Sequence, residues 1–255
     1  MRIVSLSVDG IAQAAGRGLF AWLAQQNADI ICLQDLRASE DQLTDDCFPA
    51  GYNAYFCDRA DGKRGVAIYT RQLPRAVMPG FGYSPAVDLD GTYLRADFEQ
   101  WSVVSLLVPP AVANPQSLER RMRFLDNLQD HFKKIGARRR RYIFCCNWQM
   151  VHQKADVQQW EVHQADPGFM PFEREWLNSL YSDHGYVDAL RAVNAERDIF
   201  SWWPSGSVGQ GDGWRVDAQV VSPDFFHHVH RVRYCKEAVF SSHIPVVVDY
   251  DLDIY

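Results

Sequence analysis

The chain has 255 residues, with 26 Lys and Arg against 32 Asp and Glu, a formal net charge of −6 at pH 7. Its 47% hydrophobic and 23% charged content is that of a folded globular protein and excludes disorder as a description of the whole. The acidic balance argues against unaided nucleic-acid binding, which normally draws on a positive excess. Any such role rests on a local patch, a metal or a partner.

The apolar runs at residues 2–8 and 28–34 read as strands, and Ala15, Leu19, Trp22 and Leu23 place a helix over 12–26 between them. Strand patterns follow at 52–57, 65–69, 92–99 and 101–108. Asn114-Pro115 then opens a helix with Leu118, Met122, Leu125, Leu128 and Phe132 on its apolar face. Arg120, Arg121, Arg123, Lys133 and Lys134 are assigned to its exposed face. Residues 142–146 read as a buried strand, 155–164 and 172–181 as shorter helices, and 200–203, 214–221, 228–234 and 244–250 as a last β region. With no linker or repeat, residues 1–255 are expected to form one α/β domain of two packed sheets covered by helices.

The first apolar run is too short for a signal peptide, and no segment reaches the ~18 apolar residues of a membrane span. The six cysteines (Cys32, Cys47, Cys57, Cys145, Cys146, Cys235) lack metal-site spacing. Buried thiols in a reducing cytoplasm are the expectation.

Several motifs stand at the ends of strand-like runs, where functional side chains are commonly held. They are Ser7-Val8-Asp9-Gly10, Leu33-Gln34-Asp35, Gly65-Val66-Ala67-Ile68-Tyr69, Cys146-Asn147-Trp148-Gln149, Trp214-Arg215-Val216-Asp217 and Ser241-Ser242-His243. In this order the chain resembles the exonuclease III family of the endonuclease/exonuclease/phosphatase superfamily. The resemblance implies a four-layer α/β sandwich and Mg²⁺-dependent phosphodiester cleavage.

Position by position, that chemistry is eroded. The family pattern has Asn at Ser7, the principal metal-binding Glu at Asp35, Asp at Asn147, Asn at Gln149, Asp at Ser242 and an active-site Tyr at Leu107. Only Asp217 and His243 match, and Asp9 remains a nearby carboxylate. An amide at 147 cannot deprotonate water, and Ser242 is expected to leave His243 without a carboxylate partner. The pocket of Ser7, Asp9, Asp35, Leu107, Asn147, Gln149, Asp217, Ser242 and His243 is therefore read as vestigial. No cofactor is expected, with Asp35 the remaining candidate metal ligand.

Ile31-Cys32-Leu33-Gln34-Asp35 with Arg37-Ala38-Ser39, and Val151-His152-Gln153-Lys154 with Asp156-Val157, further resemble the catabolite repression control (Crc) proteins. That resemblance implies a degenerate nuclease fold acting with the RNA chaperone Hfq in translational repression of A-rich messages. Crc-type chains usually carry Asn at position 7 and lack the Trp at position 148, so a separate degenerate paralogue also fits. The basic run Lys133, Lys134, Arg138, Arg139, Arg140 and Arg141 is the candidate RNA or partner contact, its alternative being a solvated helix end.

Two other readings stay open. One is an exodeoxyribonuclease III, abasic-site endonuclease or other phosphodiesterase using Mg²⁺ or Mn²⁺ at an unconventional site of Asp9, Asp35 and Asp217. The other is a protein-interaction module that never touches nucleic acid. Of the tryptophans, Trp148, Trp214 and one of Trp202-Trp203 are assigned to the core. The Gly-rich residues 206–211 are expected as a surface loop, and His227, His228 and His230 as strand and turn residues.

Overall fold

A computed structural model describes residues 1–88, 90–110, 112–138, 140–193 and 198–252. In β1 (Arg2–Ser7), Ile3, Ser5 and Ser7 point to one side and Val4 and Leu6 to the other, both sides buried. Helices α1 (Ile11–Gly16) and α2 (Leu19–Gln26) lead to β2 (Ile30–Gln34), the parallel partner of β1. The one helix expected over 12–26 is thus two. Gly18, at φ 86°, is left-handed and breaks it.

The antiparallel pair β3 (Asn53–Asp58) and β4 (Gly65–Thr70) precedes β5 (Ala76–Pro79), α3 (Pro85–Asp88), β6 (Tyr93–Asp97) and β7 (Trp101–Leu107). β5 escaped the sequence reading because it is an exposed edge strand ending on proline, without apolar alternation. α4 (Pro115–Gly136), capped by the Asn114 side chain accepting from Ser117 N–H, carries the chain to β8 (Arg141–Asn147), parallel to β7. Then come α5 (Pro171–Ser182), β9 (Val187–Asp188), α6 (Ala189–Val193), β10 (Asp217–Val221), β11 (Val229–Tyr234) and β12 (Val246–Tyr250).

The described residues form two six-stranded mixed sheets, ordered β11-β12-β1-β2-β4-β3 and β5-β6-β7-β8-β10-β9. Their facing sides share one core, including Ile3, Ile30, Cys32, Ile68, Val103, Ile143 and Val248. The outer side of the first sheet packs on α1 and α2 through Val4, Leu6, Ile31, Ile11 and Leu23. That of the second packs on α4 and α5 through Val104, Phe144, Leu128, Phe132 and Leu177. This is the expected four-layer sandwich. Polar side chains also tie the sheets together. Gln34 Nε2 donates to Ser105 Oγ at 2.9 Å and to the Cys145 carbonyl, and Gln219 Nε2 donates to the carbonyl of Ile3 at 3.2 Å.

Three assignments are corrected. Arg121, expected on the exposed face of α4, is 1% exposed, and Met122, expected inside, is 48% exposed. The Arg121 guanidinium is held by the Glu173 carboxylate and by the Pro109 carbonyl at 3.0 Å, so charge pairing shifts the buried face by one residue. Residues 155–164 contain no α-helix; a 3₁₀ turn, Lys154–Asp156, sits there instead. Asp156 is buried against Arg215 at 2.8 Å and Arg191 at 2.6 Å, and this long-range pairing anchors the segment. Residues 200–203 form isolated bridges rather than a strand, Trp202 pairing with Trp214 and His243. Among the described residues no helix is long and apolar enough to cross a membrane.

Candidate functional site

The strand period places the site. Ser7, Leu107, Asn147 and Asp217 are terminal residues of β1, β7, β8 and β10 that continue the rows facing the space between the sheets. β1, β2, β7 and β8 all end at the same edge, where the sandwich opens. The loops leaving these ends are tightly wound: Asp9, Asp35, Arg37 and Gln149 have φ of 51°, 57°, 50° and 54°. Four non-glycine residues in the left-handed region at one edge mark a backbone held by its surroundings.

A cavity of about 530 Å³ opens there, lined by Asp9, Asp35, Leu107, Gln149, Ser242 and His243 from the sequence-predicted set. Ser7, Asn147 and Asp217 are buried beneath it. Asn147 Nδ2 donates to Ser7 Oγ at 2.9 Å, and Asn147 Oδ1 accepts the Gln149 N–H at 3.0 Å. Both polar ends of the amide are thereby spent on neighbours.

His243 is not deprived of a carboxylate, contrary to the expectation from Ser242. Asp217 Oδ2 lies 2.7 Å from His243 Nδ1 and accepts from Ser201 Oγ at 2.7 Å. Ser242 instead turns to Asp9, giving its N–H at 2.9 Å and its hydroxyl to Oδ2. Burial works against charge on His243, but Asp217, with Asp9 and Asp35 further off, holds its pKa above the ordinary histidine value. Burial pushes the Asp35 carboxyl up, against the pull of Arg37. Burial acts the same way on Asp9, yet His243, the two Ser242 hydrogen bonds and Arg37 together hold it below the usual carboxylate range.

Arg37 is the residue whose role the sequence reading missed. Its Nη2 lies 2.6 Å from Asp35 Oδ2 and 3.2 Å from Asp9 Oδ1, and its Nη1 donates to the Asp9 carbonyl. The guanidinium bridges the two carboxylates that remain at the mouth of the pocket. Arg17, Lys63 and Arg64 also line the cavity, as do Trp202 and Trp203. The signal was local: Arg37 stands two residues after Asp35, and the left-handed turns at both fold it back.

Mg²⁺ takes near-octahedral oxygen ligands at fixed distances. The donor set here does not suit it. Asp9 and Asp35 already neutralise a resident cation, and position 147 offers a neutral amide committed to Ser7 and Gln149. Among the described residues no three His, Cys, Asp or Glu side chains are arranged to hold a metal ion.

The basic run lies at the other end of the second sheet. Arg141 opens β8 and Asn147 closes it, six residues further on and about 20 Å away at the usual rise of a strand. Lys133 and Arg138 are exposed; Lys134 Nζ sits 3.5 Å above the Tyr83 ring. Arg140 donates to the Phe98 carbonyl at 2.7 Å, Arg141 is half-buried, and Arg139 lies outside the described residues. The six cysteines are free, five of them buried and Cys235 half-buried. Trp148, Trp203 and Trp214 are buried and Trp202 is half-buried. His227 lies against Phe226 with the rings tilted by 37°, and His228 Nδ1 meets the Asp251 carbonyl.

Fold and pocket together define a sandwich with its working edge where the central parallel strands end. The chain belongs to the Endonuclease/Exonuclease/phosphatase family, whose model matches residues 8–243. It is 26% identical over 251 residues to an exodeoxyribonuclease of Bacillus subtilis, covering 96% of this chain and 98% of that protein. It is 25% identical to a DNA-(apurinic or apyrimidinic site) endonuclease of Dictyostelium discoideum, covering 99% of this chain and 71% of that one. Among solved structures, an AP endonuclease from Archaeoglobus fulgidus superposes with a TM-score of 0.87 at 21% identity, covering 99% of this chain and 100% of the other.

Proposed function

We propose that this chain is a non-catalytic member of its family that acts in post-transcriptional control, assembling with A-rich RNA and an Hfq-like RNA chaperone to repress translation in the cytoplasm. One observation carries the non-catalytic part. Arg37 bridges Asp9 and Asp35 where a hydrolytic metal would need their oxygens. Asn147 adds to this, since its amide cannot take a proton from water. The regulatory part rests on the Crc-like motifs and on Lys133 and Arg138, exposed beside the start of β8 in a chain of net −6.

A second reading is favoured by the relatives, which are named as exodeoxyribonucleases and abasic-site endonucleases. In it, Asp9, Asp35, Asp217 and His243 support a metal-dependent phosphodiesterase once Arg37 swings away. Incubation of the purified protein with abasic duplex DNA and Mg²⁺ or Mn²⁺ decides between the two. No cleavage is expected; cleavage that disappears in Asp35→Ala overturns the proposal. Gel mobility shifts with A-rich RNA, with and without the chaperone, test the partner claim. A ternary complex at moderate salt is expected, and its absence sinks that claim.

A further inference from the structure

A second cavity, of about 590 Å³, lies at the opposite pole of the sandwich, where β7 and β8 begin. That volume falls in the range of small-molecule sites. The cavity spans both sheets: Leu73 follows β4 and Leu252 follows β12, while Trp101 and Arg141 open β7 and β8. Its floor is aromatic, with Phe98 stacked on Trp101 at 4.5 Å and Phe225 beyond it at 6.5 Å. Leu73, 70% exposed, stands at the rim. The charges here are unevenly matched. Glu99 is paired with Arg75, and Asp97, next to Phe98, is taken by Arg95 at 3.0 Å and Arg140 at 3.8 Å. Arg141 is half-buried, and among the described residues its guanidinium has no hydrogen bond or ion pair. Arg75 and Arg141 against Glu99 leave the lining with one uncancelled positive charge.

We infer that this cavity is a binding site for a small arylalkyl monocarboxylate, its carboxylate paired with the Arg141 guanidinium and its ring laid against the aromatic floor and Leu73. A guanidinium drawn partly out of water without a counter-ion is costly, and a carboxylate fits its N–H fork with two parallel hydrogen bonds. A single negative charge cancels the lining. A phosphate monoester, at about −1.5 to −2, overcharges a site with one free cation, and Glu99 repels the excess. The two cavities share no lining residue, so the inference holds whether or not the other pole is catalytic. It also takes Arg141 out of the basic run offered to RNA.

The test is calorimetric titration of the full chain with phenylacetate, its neutral isostere phenylacetamide, and phenyl phosphate. Phenylacetate is expected to bind at least ten-fold more tightly than the amide, and more tightly than phenyl phosphate. Arg141→Gln is expected to bring phenylacetate down to the level of the amide. Leu73→Asp, which sets a like charge on the exposed rim, is expected to weaken phenylacetate several-fold and the amide less, with unchanged thermal unfolding. Should Arg141→Gln fail to fold, Leu73→Asp decides alone. Phenylacetate no tighter than phenylacetamide, tighter binding of phenyl phosphate, or phenylacetate affinity unchanged in the folded variants overturns the inference.

Discussion

Arg37 changes what the neutral side chains at 147 and 242 mean. Asn147 and Ser242 bring no negative charge to the pocket, and the guanidinium meets that of Asp9 and Asp35. Adding one carboxylate is then insufficient to recruit a cation. Asn147→Asp alone is expected to bind no Mn²⁺ by electron paramagnetic resonance. Asn147→Asp combined with Arg37→Ala should gain at least ~10-fold in Mn²⁺ affinity, about 1.4 kcal/mol. Equal Mn²⁺ binding by both proteins refutes the blocking role. At this scale the sequence was readable where identity alone decides chemistry, as at the amide of residue 147. It was not readable where backbone shape decides it. The φ of 57° at Asp35 and 50° at Arg37 puts the guanidinium on the carboxylates, and Asp217 reaches His243 from another strand.

α4 shows what periodicity does and does not convey. Its start and most of its apolar face follow from the pattern, but Arg121 is buried because Glu173, 52 residues on, meets it. No helical period announces such a partner. On the same buried face, His131 stacks on Phe81 at 4.3 Å and touches the hydroxyls of Tyr83 and Tyr93 at 3.1 and 3.0 Å. Burial, helped by the charges of Arg95, Lys134 and Arg138, lowers its pKa from the ordinary 6.5 to about 4. The folded protein therefore keeps this imidazole neutral while the unfolded chain protonates it. Stability is full above pH 6.5 and falls as the pH drops from 6.5 to 4, by about 3 kcal/mol at pH 4. Urea unfolding at pH 7 and pH 4.5 should show this loss, and His131→Gln should remove most of it. An identical acid slope in His131→Gln refutes the assignment.

Across the whole molecule, the strands buried on both sides were the easiest to read, because each is a nearly continuous apolar run. The exposed edge strand β5 and the segment pinned by Asp156 and Arg215 were not, since one lacks apolar alternation and the other is held by distant charge. The sheets themselves are fastened through Gln34 and Gln219 as well as by hydrophobic burial. Gln34→Ala removes the hydrogen bonds to Ser105 and Cys145 and leaves a cavity, at an expected cost of about 2–4 kcal/mol in chemical denaturation. A loss below ~0.5 kcal/mol would show that apolar packing alone sets the spacing. These ties lie inside the sandwich and use none of the residues that line the cavity. The distance between the strand ends is thus set from within, so the mouth can be re-equipped one side chain at a time. The frame is a chassis, and the side chains at its open edge are its fittings.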